Sequence, residues 1–497
     1  MKKDNTIFPA DRYRQTVLEP LFTDFKEHFY NEMMKINYAH AVMLYEERVI
    51  NHQEVVSIIS GLKEIEREID LENMEYTGEF EDLFFYIEDQ LIKKIGIAIA
   101  GKLHTGRSRN DMDITMYKMK LKKLLLNLLN QLIELTKTLL EIANLNKDTV
   151  IVAYPHGQPA QPTTYAHYLA ALIEILLRDI DRIFAAYKTT DNCSLGAAAI
   201  TTSGFNLNRK RVAELLGFGR VQENSYGCIA AVDYLLEIYG SIKTFFISLG
   251  RFIQDLGQMT GFDLSHLYVP NEYVQISSIM PQKRNPVPVE HLRIMSSITI
   301  GYCDTVISSL HNTPFTDMND AEDPLQVVGF KAFIEGGKVL SLVSDFVRGL
   351  EVNQQKVKEH IDQSYVTITE LAETLVRKEK ISFRQAHEIS SEMVKDLLKS
   401  RKKLSDIDYT QFKDFFVKVI GREPLLSRDE ISEALEPEYF VSVRNMFGGP
   451  AFDSITNSLS SYQKQLGKFV SIIEKESNSI IKADKKLDEE LNSYMIG

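Results

Sequence analysis

Proline is scarce in this sequence and unevenly placed. The chain has 497 residues and only 14 prolines. None occurs from Leu21 to Tyr154, from Thr163 to Val269 or from Leu325 to Glu423. Proline breaks helix interiors, so these spans permit long helices. Six of the 14 fall in two short stretches, Pro155–Pro162 and Pro281–Pro288, which read as loops. Cysteine is scarcer still. Cys193, Cys228 and Cys303 lie far apart with no CxxC or metal-ligand spacing. That excludes a disulfide framework and fits a reducing, cytoplasmic setting. No run of 18 apolar residues exists, so no transmembrane helix is expected. The N-terminal stretch MKKDNTIFPADRYRQ lacks the apolar core of a secretory signal. No Walker-type phosphate loop and no GxGxxG opening a helix after a strand appears, so nucleotide enzymes of those types are not indicated. Positive charge is in deficit: 57 Lys+Arg against 69 Asp+Glu give a net charge of -12. This argues against nucleic acid or an anionic membrane surface as partner, although a local basic pocket remains compatible.

What is present is ordinary for a globular chain, with 44% hydrophobic and 25% charged residues. The length allows two to four domains. Helices are expected over Asn37–Ile50, over Gln53–Ile69 and from Glu81 to Ile97. In the second, Val56, Ile59, Leu62 and Ile65 recur at three-residue spacing and define one buried face. Met119–Leu145 carries leucine on more than one face and should be buried on several sides. Thr163–Lys188, Ala230–Gly257, Val289–His311 and Val327–Val352 look similar. Five long helices in one region predict a bundle. From about Lys356 the pattern turns to shorter helices and polar loops. The Lys- and Glu-rich tail after Ile481 reads as a solvated helix or a frayed end. Strand signals are weak throughout.

Three segments interrupt the helices and concentrate groups able to do chemistry. The first, His104-Thr105-Gly106-Arg107-Ser108-Arg109-Asn110-Asp111, is polar and basic within an acidic chain. Ser, Arg and Asn supply donors suited to a carboxylate, and Arg can bind one bidentately; a solvated, capped helix start is the plainer reading. The second runs from Ala153 to Pro162, where three prolines hold His156 in a stiff loop before a long helix. A histidine there can serve as general acid or base, or simply hydrogen-bond in an inter-helix turn. The third is Gln275–Pro286, with Ser277, Ser278, Lys283 and Asn285 close together. A plain surface loop does not account for the apolar Ile279 and Met280 embedded in it.

This third segment carries a family resemblance. SSIMPQKRNP resembles the signature loop of the fumarase/aspartase superfamily, usually written GSSxMPxKxNP. GKLHTGRSRND looks like the argininosuccinate lyase version of the first loop, and MPQKRNP has the order of that branch. Phe383–Glu388 and Val443–Gly449 also resemble tails of argininosuccinate lyases, so the likeness runs from about Asn37 to Gly449. It implies an all-α, three-domain subunit with a central long-helix bundle, divided at about 1–105, 106–356 and 357–497. It implies a homotetramer whose sites draw loops from different subunits. It implies reversible anti-elimination of fumarate from a substituted succinate, without cofactor or metal, with no nucleic-acid or membrane partner. Carried over by position, Ser277 is the general base at the carbon beside a carboxylate. Its oxygen then needs nearby positive charge or amide donors. Lys283 and Asn285 would stabilise the aci-carboxylate that forms. His156 would help protonate the departing nitrogen or hold the group that does. Ser108, Arg109 and Asn110 would hold the succinyl carboxylates, with Thr105 and Gln161 also in the substrate-binding set.

Departures from the family fall mostly on substrate choice. Ile276 replaces the signature glycine, Pro155 the threonine before the histidine, Gly227 the acid of an Asn-Ser-x-Asp stretch, and Val232 an arginine. Aligned on Glu322-Asp323, the tyrosine, glutamine and lysine that family members present to the arginine-derived end become Thr316, Ala321 and Pro324. Groups for fumarate formation are retained while groups for the amine end are replaced. Polar partners matter strongly in such a site. The expectation is a C–N lyase acting on argininosuccinate or a related N-substituted aspartate. The alternatives are a lyase for another amine, as in the ethylenediamine-disuccinate (EDDS) lyases, or a catalytically silent, crystallin-like protein. The intact set of Ser277, Lys283, Asn285 and His156 argues against the last.

Overall fold

A computed structural model describes residues 8–496 of the chain. Residues 1–7 and Gly497 lie outside the described residues, and with them the first part of the N-terminal stretch read above for a secretory signal. The helices that matter here are α1 (Tyr30–Glu46), α2 (His52–Glu68), α3 (Leu83–Ile95), α4 (Arg109–Leu145), α5 (Tyr165–Thr190), α6 (Asp233–Thr260), α7 (Val287–Ser309) and α8 (Asp323–Gly349). They are followed by α9 (Gln354–Ser364), α10 (Ile368–Glu379), α11 (Phe383–Ser400), α12 (Tyr409–Ile420), α13 (Arg428–Leu435) and α14 (Phe452–Ile496). The five long helices expected from the sequence pattern are α4 to α8. They pack as a bundle, with α6 against α7, α7 against α8, and α4 against both α5 and α8.

Local sequence explains the starts. Asn51 caps α2 by accepting from the Glu54 amide at 3.0 Å, and Glu54 answers by accepting from the Asn51 amide at 2.9 Å. Helix α4 begins ten residues before the leucine-rich stretch because Asp111 folds back to accept the Ser108 amide at 2.8 Å. Its 37 residues span about 56 Å. Leu121, Leu125, Leu128, Leu129, Leu132, Leu135 and Leu139 are all buried, on several faces as their spread implied. The bundle helices approach closely at Gly329 on α8, where an added Cβ would lie 1.9 Å from the Tyr239 hydroxyl of α6.

The C-terminal part differs from the expectation of short helices alone. Helix α14 is 45 residues long and packs on α4 and α5. Ile455, Leu459, Leu466, Ile473, Leu487 and Leu491 join the main core. The charged tail belongs to this helix and keeps one thin apolar stripe, Ala483, Leu487 and Leu491, at four-residue spacing. A second, separate core lies in α10 to α13, built on Leu371, Leu375, Ile389, Met393, Phe412, Phe416 and Ile431.

Strands are two to four residues long and form only two-stranded pairs among the described residues. Two of these pairs carry candidate site residues. Strands β1 (Val150–Ala153) and β2 (Gln161–Thr164) form an antiparallel hairpin with Val150 opposite Thr164 and Ala153 opposite Gln161. Strands β3 (Gln275–Ile276) and β4 (Arg284–Asn285) form another, with Gln275 opposite Asn285. No helix among the described residues is long and apolar enough to cross a membrane.

Candidate active site

The first loop is held from beneath by a buried acid and a buried histidine. Asp111 is fully buried; its Oδ2 accepts from the amides of Gly196 at 2.7 Å and Ala198 at 3.0 Å, while Oδ1 takes the Ser108 amide. Burial pushes its carboxyl up to about 6 against the pull of those three donors. Thr105 is fixed through its carbonyl, which takes a hydrogen bond from His40 Nε2 at 2.9 Å. Burial, and after it the charge of Arg107, lowers His40 to about 3, so the ring is neutral and Nε2 donates.

The three residues expected to hold substrate carboxylates are already engaged. Arg109 pairs with Asp82 and, at 3.3 Å, with Glu81, and lies over the Phe85 ring. Asn110 Nδ2 donates to Asp317 at 2.7 Å and to the Ala199 carbonyl at 3.3 Å; its Oδ1 accepts from Ser108 Oγ at 3.0 Å. The partners of Arg109 and Asn110 are themselves carboxylates, so a succinate carboxylate has to displace them. This acidic lining was missed in the sequence, although Glu81-Asp82 stands just before α3 and Asp317 lies inside the divergent segment 313–326.

The second loop is the turn of the β1–β2 hairpin. Pro155–Gly157 forms one tight turn, with His156 in the left-handed region at φ 58° and Gly157 beside it at φ 72°. A left-handed non-glycine residue is strained, which is common at functional positions. The imidazole is exposed and makes no hydrogen bond among the described residues. Gln161 is exposed at the start of β2.

The third loop is the tip of the β3–β4 hairpin. Ser277 Oγ accepts from the Met280 amide at 3.1 Å and weakly from the Ile279 amide at 3.4 Å. Asn285 Nδ2 donates to the Gln275 carbonyl at 3.1 Å. Arg284 anchors the hairpin on the Val269 carbonyl at 2.6 Å and the Tyr268 ring. Lys283 points to solvent, and Ile279 and Met280 are exposed at the tip. Ile276 sits in β3 with an extended partner at Arg284, so a β-branched residue suits the position the signature gives to glycine.

Asn110 joins the first loop to the divergent segment through Asp317. No hydrogen bond or ion pair among the described residues joins the first, second and third loops to one another. In the divergent segment, Tyr226 stacks on Phe315 and donates to its carbonyl at 3.1 Å. Thr316 and Ala321 are half-buried. Pro324 occupies the first turn of α8, where its missing N–H costs nothing. Around it the charge is negative. Tyr117 donates to Asp323 at 2.5 Å. Burial, then the charges of Asp323 and Glu322, raise Asp113; burial, against the Tyr117 hydroxyl, raises Asp323; and burial with Asp317 and Asp323 nearby pushes Glu322 up to about 7.

A profile for a family described as Lyase matches residues 6–301, and one described as Argininosuccinate lyase C-terminal matches residues 365–442. Argininosuccinate lyase 2 of Agrobacterium fabrum is 46% identical over 96% of this chain and 95% of its own length. Argininosuccinate lyase of Methanococcus maripaludis is 33% identical over 89% of this chain and 90% of its own. Among solved structures, EDDS lyase in complex with formate is 27% identical with a TM-score of 0.85, covering 98% of this chain and 96% of that one. Class II fumarase from Schistosoma mansoni, at 17% identity and TM-score 0.65 over 85% of this chain and 91% of that one, shares the fold. The chain belongs to the argininosuccinate lyase family of the fumarase/aspartase superfamily.

Proposed function

We propose that the chain cleaves argininosuccinate, or a related N-substituted aspartate, to fumarate and an amine, with Ser277 as the base. The class, a fumarate-forming carbon–nitrogen lyase, follows from the family. The observation that supports the base is the surroundings of Ser277 Oγ. Two backbone amides of its own turn, at 3.1 and 3.4 Å, point at the oxygen and favour its anionic form. The serine oxygen takes the proton from the carbon beside a carboxylate, and the electron pair moves into that carboxylate as an aci-carboxylate. Lys283 and Asn285, on the same hairpin, stabilise this charge; placed donors of that kind are worth about 3–4 kcal/mol each. The pair then returns to form the double bond of fumarate as the C–N bond breaks, and the amine leaves with a proton supplied through His156. Ser108, Arg109 and Asn110, with Thr105 and Gln161, hold the succinyl part once Asp82 and Asp317 give way.

The same reading includes a cytoplasmic homotetramer whose sites combine hairpins of different subunits. Among the described residues no hydrogen bond or ion pair joins the three loops within one chain, which supports it. It also includes the division at 105 and 356. The separate core in α10 to α13 supports the C-terminal cut, while α14 packs back on the bundle. A second amine remains in view because Thr316, Ala321 and Pro324 stand among Asp317, Glu322 and Asp323. That lining suits a cationic amine better than a carboxylate-bearing one. The test is fumarate release from argininosuccinate, followed by the reverse reaction of fumarate with a panel of amines. Addition of arginine alone supports argininosuccinate as substrate. Addition of other amines without arginine supports the second reading. No turnover in either direction by the folded assembly overturns both.

A further inference from the structure

We infer that Tyr154, His266 and His360 form a positioning cluster that sets the turn carrying His156, with the two imidazoles joined by a single shared proton. The inference deepens the proposed role of His156 and rests on that reading. His266 Nε2 lies 2.9 Å from His360 Nδ1, and Tyr154 Oη lies 3.3 Å from His360 Nδ1 and 3.4 Å from His266 Nε2. Three polar atoms from three parts of the chain thus converge on one point. Tyr154 directly follows β1, His266 lies between α6 and the third loop, and His360 is on α9.

Proton accounting shows why the contact is selective. Two facing ring nitrogens at 2.9 Å are stable with one proton between them. With none, two lone pairs face each other; with two, two N–H groups do. The Tyr154 hydroxyl completes the cluster at its edge. Both histidines are also tied to α9, since the His266 carbonyl accepts from the Asn353 amide at 2.8 Å and His360 is a residue of that helix.

The turn has little freedom to absorb a shift of Tyr154. Pro155 follows with its φ fixed. His156 and Gly157 come next, both left-handed, and the Gly157 amide returns to the Tyr154 carbonyl at 3.1 Å. The Ala160 amide closes the loop on Ala153 at 2.9 Å. The phenol ring is therefore the external handle of the His156 turn. Its ring also meets His266 edge-on, with centroids 5.5 Å apart.

Few other charges bear on the cluster. Burial and then the charge of His360 lower His266 to about 4, and burial alone raises Tyr154. From α9, Glu359 precedes His360 and is paired with Lys356 at 2.7 Å. From the short strand Glu351–Val352, Glu351 lies opposite Tyr268, two residues beyond His266. The hairpin itself contributes only Tyr154 and the exposed His156.

The test compares His360→Leu, His360→Gln and Tyr154→Phe in the full-length assembly. Deuterium uptake of peptides covering 150–165 is followed between pH 4 and pH 8 beside turnover. His360→Leu should speed exchange in the His156 turn and lower kcat about 10- to 100-fold with KM little changed, leaving α4 and α5 peptides as they were. His360→Gln, whose amide can still share a proton with His266, should restore most of both. In the wild type the turn should loosen only at acid pH, when both facing nitrogens hold protons, and this step should vanish in His360→Leu. Tyr154→Phe should show an intermediate effect. Unchanged exchange in the turn, or equal effects of Gln and Leu, overturns the inference. Exchange reads the cluster without substrate. A wild type that turns over nothing therefore sinks the functional reading, while exchange still decides whether the cluster holds the turn.

Discussion

Replacing Asp111 with alanine should both destabilise the chain and misplace the first loop. In the wild type this carboxylate accepts three amide hydrogen bonds, at 2.7, 2.8 and 3.0 Å, with no exposure. Hydrogen bonds to a charged acceptor contribute about 1.5–3 kcal/mol each, and the orphaned amides of Ser108, Gly196 and Ala198 would lie in a site without water. The carboxyl value of about 6 against 3.8 already includes the pull of these donors, so alanine relieves a net penalty of about 3 kcal/mol at neutral pH. Three buried amides left without partners cost about 1–3 kcal/mol each and outweigh that relief, so the variant should melt below the wild type. Asp111→Asn should lie between, since one amide oxygen can satisfy either Ser108 or the Gly196 and Ala198 pair but not all three. The assay is thermal unfolding by circular dichroism, with fumarate release measured well below the melting transition. At that temperature Asp111→Ala should raise KM more than it lowers kcat, because Ser108 and Asn110 bind the substrate. A variant that melts with the wild type and keeps its KM would refute the clamp.

Other perturbations probe separate parts of the account. Glu322 has a folded value near 7 against an ordinary 4.5, so its contribution to stability is full below about 4.5 and is lost as pH rises through 7. Glu322→Gln should therefore gain stability over the wild type as pH rises from 5 to 8, by at most about 3 kcal/mol; a constant difference across that range contradicts the assignment. His40 has the opposite sign. Its folded value near 3 against an ordinary 6.5 means stability present above 6.5 is lost as pH falls toward 3, by up to about 5 kcal/mol. His40→Gln should flatten that acid limb in denaturant titrations, and an unchanged slope would count against it. Gly329→Ala should lower the melting temperature because its Cβ would meet the Tyr239 hydroxyl at 1.9 Å. Overpacking of this kind costs about 1–3 kcal/mol, more than the helix gains from alanine. A more stable variant would mean the two helices part easily.

The long helices were legible because each is set by a local pattern. Apolar patterning placed α5 to α8 within a few residues and the end of α4 at Leu145, while the start of α4 lies ten residues before the expected one. Helix α14 was less legible because its apolar stripe is thin and its other faces are charged, so its length is fixed by packing along α4 and α5. The chemistry-bearing loops were legible through their residue types. Their surroundings were not, since Asp82 and Asp317 reach Arg109 and Asn110 from distant positions in the chain. The partly buried pairing of His266 with His360 spans 94 positions and leaves no local trace. Sequence also treated Pro324 and Ile276 only as departures. In the structure each suits its place, one in the first turn of a helix and the other in a strand.

The central claim is that Ser277 removes the proton that starts fumarate formation. The most direct measurement is the ultraviolet absorbance of fumarate released by Ser277→Ala and by the wild type, at equal concentration and with melting curves recorded for both. Ser277 sits at a hairpin tip outside both cores, so the variant should melt and assemble as the wild type does. Its kcat should fall by about 10²–10⁴-fold, the range for loss of a positioned general base. A folded Ser277→Ala enzyme that keeps kcat within tenfold of the wild type would contradict the account.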